Sequence, residues 1–233
     1  MITVIGRGHS GTRAMSHTLS ESGVYMGAQL NKSGDLIPPE DMYEACRVMA
    51  RHVKHLGGTN WDFSALHTCS IDPEFVRLME SFLASVLSSD AELKGWKLPE
   101  TTLVLPWIVR LYPDIQYIYW ERDPRDSITG YHITDDLSRF GVPYDHIDDE
   151  RLRRAISWTY QHEIIRATPS PKQRIDIRFE DFVLHQDRTL ASLEDFLGFP
   201  LAKIPVTTEP IGRWKTDTAQ NDFDFFPREA LYP

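Results

Sequence analysis

Apolar positions follow two rhythms along this chain. The run ITVI at 2–5 is apolar almost throughout and leads straight into glycines, which predicts a strand buried on both faces of a parallel sheet. QYIYWE at 116–121 and RIDIRFE at 174–180 predict two more strands. Elsewhere the period is helical. Met15, Thr18, Leu19 and Ser22 share a face, with Gly23 as the stop, and Met42, Cys46, Met49, Val53 and Leu56 share a face of 39–56 before Gly57–Gly58. Residues 73–87 predict a further helix. So do 148–167, with Leu152, Ile156, Tyr160 and Ile164 inward, and 188–197, closed by Gly198 and Pro200. Strands alternating with helices predict the α/β class with a central parallel sheet. From about 206 to 233 the periodicity disappears, and this stretch is expected to be a loop or a strap packed across the surface.

Composition narrows the function. At 233 residues the chain suits one domain, 1–233, of ordinary core size, and 41% hydrophobic with 25% charged residues describes a globular protein. A net charge of −9 disfavours nucleic acid or an anionic membrane as the main partner, while leaving room for a local basic pocket that takes a small anion. Cys46 and Cys69 lack zinc or disulfide spacing, and His52 and His55 lack a third metal ligand. No run approaches the ~18 apolar residues of a membrane span. The chain shows no signal region, so the expected location is cytoplasmic.

The chemistry concentrates in four stretches. GRGHSGTR at 6–13 has the G-x-x-x-x-G spacing of a phosphate-gripping loop between strand and helix, where backbone N–H groups and the helix dipole meet an anion. Ser10 and Thr12 offer hydroxyls; Arg7, His9 and Arg13 offer charge. Thr12 stands where a nucleoside-triphosphate loop carries its lysine, so the loop suits a less charged, metal-free group. In YIYWERDPRDSITGYH, 117–132, Arg122 falls at the carboxyl end of a strand, where open α/β sheets bind ligands and a guanidinium grips phosphate. GWKLPET at 95–101 contributes Lys97, and RFEDF at 178–182 a polar cluster read as mainly structural.

In this order and spacing the stretches resemble the sulfotransferases that use 3′-phosphoadenosine 5′-phosphosulfate (PAPS). GRGHSGTRAMSHTL is similar to the family's 5′-phosphosulfate loop, YIYWERDPRDSITGYH to its 3′-phosphate motif and WKLPE to its Lys-x-Pro segment. RFEDF with FLGFP resembles its Arg-Tyr-Glu-Asp-Leu element, and IGRWK at 211–215 the C-terminal loop that covers the nucleotide. GVYMGAQLNKSGD is similar to the region after the loop in bacterial and glycan-type members. The resemblance implies a three-layer, P-loop NTPase-like fold and sulfuryl transfer from PAPS, without a metal, to a glycan or small-molecule acceptor. It implies that Gly8, His9, Ser10, Gly11 and Thr12, with Arg7 and Arg13, hold the 5′ end. Arg122, Ser127, Thr129, Arg213 and Trp214 would hold the 3′ end under the tail. Lys97 with His9 would neutralise charge at the sulfuryl group, and Asp35 is the first choice of general base, ahead of Glu40, Asp41, Glu100 and His132.

Two positions depart from the family's pattern. His9 replaces the basic residue before Ser-Gly-Thr, and Gly130 replaces the serine eight residues after the motif arginine. A P-loop kinase, or a nucleotide-binding protein without turnover, is the competing reading.

Overall fold

The computed structural model describes residues 1–232. In chain order its elements are β1 (Ile2–Ile5), α1 (Thr12–Glu21), α2 (Glu40–Ala50), β2 (Lys54–Gly57), β3 (Asn60–Asp62), α3 (Ser64–Thr68), α4 (Pro73–Phe82) and α5 (Ala84–Leu87). There follow β4 (Gly95–Lys97), α6 (Leu105–Leu111), β5 (Gln116–Glu121), α7 (Pro124–Ser127), α8 (Glu150–Ala167), β6 (Arg174–Arg178), α9 (Phe179–Leu184) and α10 (Gln186–Leu197). Four strands form a parallel sheet in the order β4-β1-β5-β6.

The alternation along β5 builds the two faces. Tyr117 and Tyr119 point into a layer that contains Met42 and Met49 of α2, Phe75 of α4, Trp107 of α6 and Tyr160 of α8. Ile118 and Trp120 point the other way, with Ile2 and Val4, onto Met15 and Leu19 of α1, Phe182 of α9 and Leu193 of α10. The result is the predicted α/β sandwich, helices on both faces of a parallel sheet. All its β-to-α turns therefore gather at the carboxyl edge of the sheet, which is where the site lies.

Several boundaries differ from expectation. The helix predicted over 39–56 stops at Ala50; residues 54–62 form an antiparallel hairpin instead. Gly57 and Gly58, both at positive φ, turn that hairpin rather than cap a helix, and Leu56 is exposed. His52 and His55 thus do not share a helix: His52 packs on Trp107, while His55 belongs to β2. The helix predicted over 73–87 breaks at Leu83 between α4 and α5. The third strand ends at Arg178, two residues early, because Phe179 opens α9 and buries its ring beside Trp120. Gly95–Lys97 is a strand, β4, too short at three residues to show a period.

The tail is packed, not loose. Phe223, Phe226 and Ala230 bury against Ile128 of the turn after α7 and Ala155 and Trp158 of α8. Among the described residues no helix is long and apolar enough to cross a membrane.

Candidate active site

The loop between β1 and α1 is held from behind through its carbonyls. Arg7 Nη1 donates to the Gly8 carbonyl and Arg122 Nη1 to that of His9, while the Trp120 indole donates to that of Ser10 (2.9, 3.0 and 3.0 Å). The Arg7 carbonyl accepts from the Ser10 amide and hydroxyl. With the carbonyls engaged inward, the amides of Gly8, His9, Gly11, Thr12 and Arg13 find no acceptor among the described residues. Gly11, in the left-handed region at φ 92°, starts α1 without any side-chain cap. The first turn of α1 carries no acidic residue either, so its positive end stays open to an anion.

That open end forms one wall of a cleft, and the rest of the lining falls into two groups. At one end are Arg13, Ser33, Asp35, Lys97 and Pro99. Leu36 donates its amide to the Lys97 carbonyl and Ser16 its hydroxyl to the Gly34 carbonyl, tying residues 34–36 to β4 and α1. This places Asp35 Oδ1 2.5 Å from Lys97 Nζ, which also donates to the Ser33 carbonyl. Asn31 donates to the other oxygen of Asp35. Burial pulls the Lys97 ammonium below its usual pKa, and Asp35 opposes the shift. Beneath the pair lies Glu100, 1% exposed with one carboxyl oxygen unpartnered; burial, with Asp35 adding, raises it to about 7.

At the other end stand His9, Arg122, Pro210 and Arg213. Arg122 leaves β5, lies over the Phe179 ring and donates to the carbonyls of His9 and Pro210; burial and the nearby Arg213 lower it to about 10. Asp126 of α7 accepts the amides of Gly212 and Trp214 on its carboxylate, and its carbonyl accepts from Arg213. One aspartate thereby fastens the tail beside Arg122. Among the described residues that line the cleft, Asp35 is the one carboxylate against Arg13, Lys97, Arg122 and Arg213. A protein of net charge −9 therefore presents a cationic cleft.

A sequence model described as "Sulfotransferase family" matches residues 2–203. The chain belongs to the sulfotransferase family. Among solved structures the chain is similar to the sulfotransferase domain from the Synechococcus PCC 7002 olefin synthase, with 16% identity over 95% of this chain and 90% of that one and a TM-score of 0.56. It also matches a sulfotransferase from Alicyclobacillus acidocaldarius, with 14% identity, 90% and 87% coverage and a TM-score of 0.47. Identities this low speak to fold alone. Among curated proteins nothing matches.

Not every predicted site residue faces the cleft. His9, Gly8, Gly11, Thr12, Arg13, Asp35, Lys97, Arg122 and Arg213 line it. Arg7 turns inward to an ion pair with Asp135 and to the Ser127 carbonyl, so it braces the loop from below. Ser10 spends its hydroxyl on the Arg7 carbonyl. The hydroxyls of Ser127 and Thr129 donate to the carbonyls of Asp123 and Asp126. Trp214 stacks under the Arg125 guanidinium, outside the cleft.

Residues that sequence reasoning missed include Ser33, Asp126 and Phe179, whose neighbours come from distant parts of the chain. His132, weighed only as a distant candidate for the base, also lines the cleft. Its Nδ1 accepts from the Thr134 amide, which leaves the proton on Nε2, and burial with the charges of Arg7, His9 and Lys97 holds its pKa to about 3. Held neutral in this way, it presents Nε2–H as a donor. Among the described residues no group of three His, Cys, Asp or Glu could hold a metal.

The two departures from the family's pattern meet in space. A Cβ built on Gly130 would stand 2.6 Å from His9 Nδ1. A side chain at 130 would have to displace the imidazole at 9 from this position, so the two departures meet at one contact.

Proposed function

We propose that this sulfotransferase moves a sulfuryl group from PAPS to a hydroxyl of a carbohydrate or small-molecule acceptor. The observation that carries the reading is the loop whose carbonyls from Arg7 to Ser10 are tied inward, so that its free amides face a cleft with a cationic cluster at one end and a lysine–carboxylate pair at the other. A donor with a phosphosulfate at one end and a separate phosphate monoester matches that layout. When bound, PAPS supplies an electrophilic sulfur with 3′,5′-adenosine diphosphate as leaving group.

The chain's residues then divide the work. The amides of Gly8, His9, Gly11, Thr12 and Arg13 hold the 5′-phosphate, where charge grows as the leaving group departs. Arg122 and Arg213 hold the remote phosphate monoester. Asp35 accepts the proton of the acceptor hydroxyl as that oxygen attacks sulfur, and Lys97 stabilises charge on the sulfuryl oxygens. His132 offers its Nε2–H to the same region without titrating near neutral pH. Holding donor and acceptor in line contributes the rest of the acceleration.

The test compares thermal stabilisation by 3′,5′-adenosine diphosphate with that by ATP–magnesium, and follows sulfated product from PAPS over a panel of hydroxylated acceptors. Stabilisation by the first ligand and turnover with PAPS are expected. Stabilisation by ATP–magnesium alone would favour a kinase and sink the reading. Binding without product on any acceptor would favour a nucleotide-binding protein without turnover.

A further inference from the structure

His9 is the one residue other than glycine with positive φ among those described, at 63°. The left-handed region costs an ordinary residue on the order of 1 kcal/mol and is retained where surroundings over-determine it. Here the Arg122 guanidinium holds the His9 carbonyl, and the ring lies on Gly130. The Nδ1–Cε1 edge is the one seated on Gly130, which turns Nε2 away from that floor, and the ring lines the cleft.

Position along the cleft then decides what the ring serves. Gly130, the floor of the ring, follows Asp126, whose carbonyl accepts from Arg213, and Arg122 donates to the His9 carbonyl. The His132 ring meets that of His9 edge-on at 6.1 Å. His9 thus belongs to the Arg122–Arg213 end. We propose that His9, seated on Gly130, is a specificity residue for the donor's remote phosphate monoester, not a group that acts on the transferred sulfuryl group. With Arg122 and Arg213 it completes a three-sided grip on a dianionic phosphate, and Gly130 is the socket that lets the ring take that place.

This inference rests on the donor proposed above, so the experiment separates the two. Affinities for 3′,5′-adenosine diphosphate and for adenosine 5′-monophosphate are measured by calorimetry on the full chain; their ratio isolates the remote phosphate. The variants are His9→Gly, which suits φ 63° and keeps the loop's path, Gly130→Ala, whose added methyl meets the ring first, and the double variant. Wild type is expected to prefer the bisphosphate. Each single variant should lose roughly tenfold or more of that preference, the size of one charge-assisted hydrogen bond, while binding the monophosphate nearly as before. The double variant should lose no more than His9→Gly alone, because the methyl then meets an empty socket. Full preference retained in His9→Gly would overturn the inference and leave the donor standing. So would a Gly130→Ala loss that is as large without the ring as with it. A wild type with no preference for the bisphosphate would remove the donor reading, and the inference with it.

Discussion

Replacing Asp35 with alanine leaves the Lys97 ammonium in a site where its side chain is 3% exposed, with the Ser33 carbonyl as its remaining partner. Breaking a buried pair in this way typically costs about 3–5 kcal/mol, because the surviving charge is left uncompensated. The lysine has an escape that sets a ceiling: it can give up its proton. Holding a lysine of ordinary pKa neutral costs about 1.4 kcal/mol for every pH unit below that pKa, hence just under ~5 kcal/mol at pH 7 and about 2 kcal/mol at pH 9. Burial already pulls Lys97 in that direction. The destabilisation by Asp35→Ala should therefore approach ~3–5 kcal/mol at pH 7 and shrink to about 2 kcal/mol or less at pH 9. Urea unfolding of variant and wild type, followed by tryptophan fluorescence at each pH, measures this, and buried Trp96 flanks the lysine in sequence. Adding Lys97→Met to the alanine variant should recover most of the loss, since no charge is then left buried. A penalty that does not change between pH 7 and 9, or a double variant no more stable than Asp35→Ala, would refute the reasoning.

Three further outcomes are expected. Gly8→Ala sets a Cβ 2.1 Å from the His132 ring, and overpacking of that kind costs about 1–3 kcal/mol; thermal melts should show the loss, and His132→Ala in the same chain should reverse much of it. Glu100, raised to about 7, favours the folded state while protonated, so its contribution is complete below about pH 4.5 and is lost as pH rises through 7. Glu100→Gln, which stays neutral, should gain stability over wild type above pH 7 and little below pH 5, by denaturant unfolding across that range. Lys97→Ala should lower turnover far more than affinity for 3′,5′-adenosine diphosphate, whereas Arg122→Ala should mainly weaken that affinity; equal binding losses in the two would contradict their separate roles.

What could be read from the chain itself was local. The apolar runs of β1 and β5 and the inward faces of α1 and α8 follow from side-chain periods of two and 3.6, which neighbouring residues alone impose. The loop's glycines and the arginine at the end of β5 announce anion chemistry for the same reason: a strand-to-turn junction exposes amides whatever lies around it. Elements of three or four residues carry too little period, so β4 and the hairpin of β2 and β3 were not visible. Gly57–Gly58 reads equally as a helix stop or a hairpin turn until a partner strand exists. Tertiary structure alone decided which charged groups face one another. Arg7 turns away to Asp135, Asp35 closes on Lys97 across 62 residues of sequence, and Asp126 draws the tail loop beside Arg122. His9 and Gly130 read from the chain as two unrelated departures, because excluded volume acts between positions that only folding brings together.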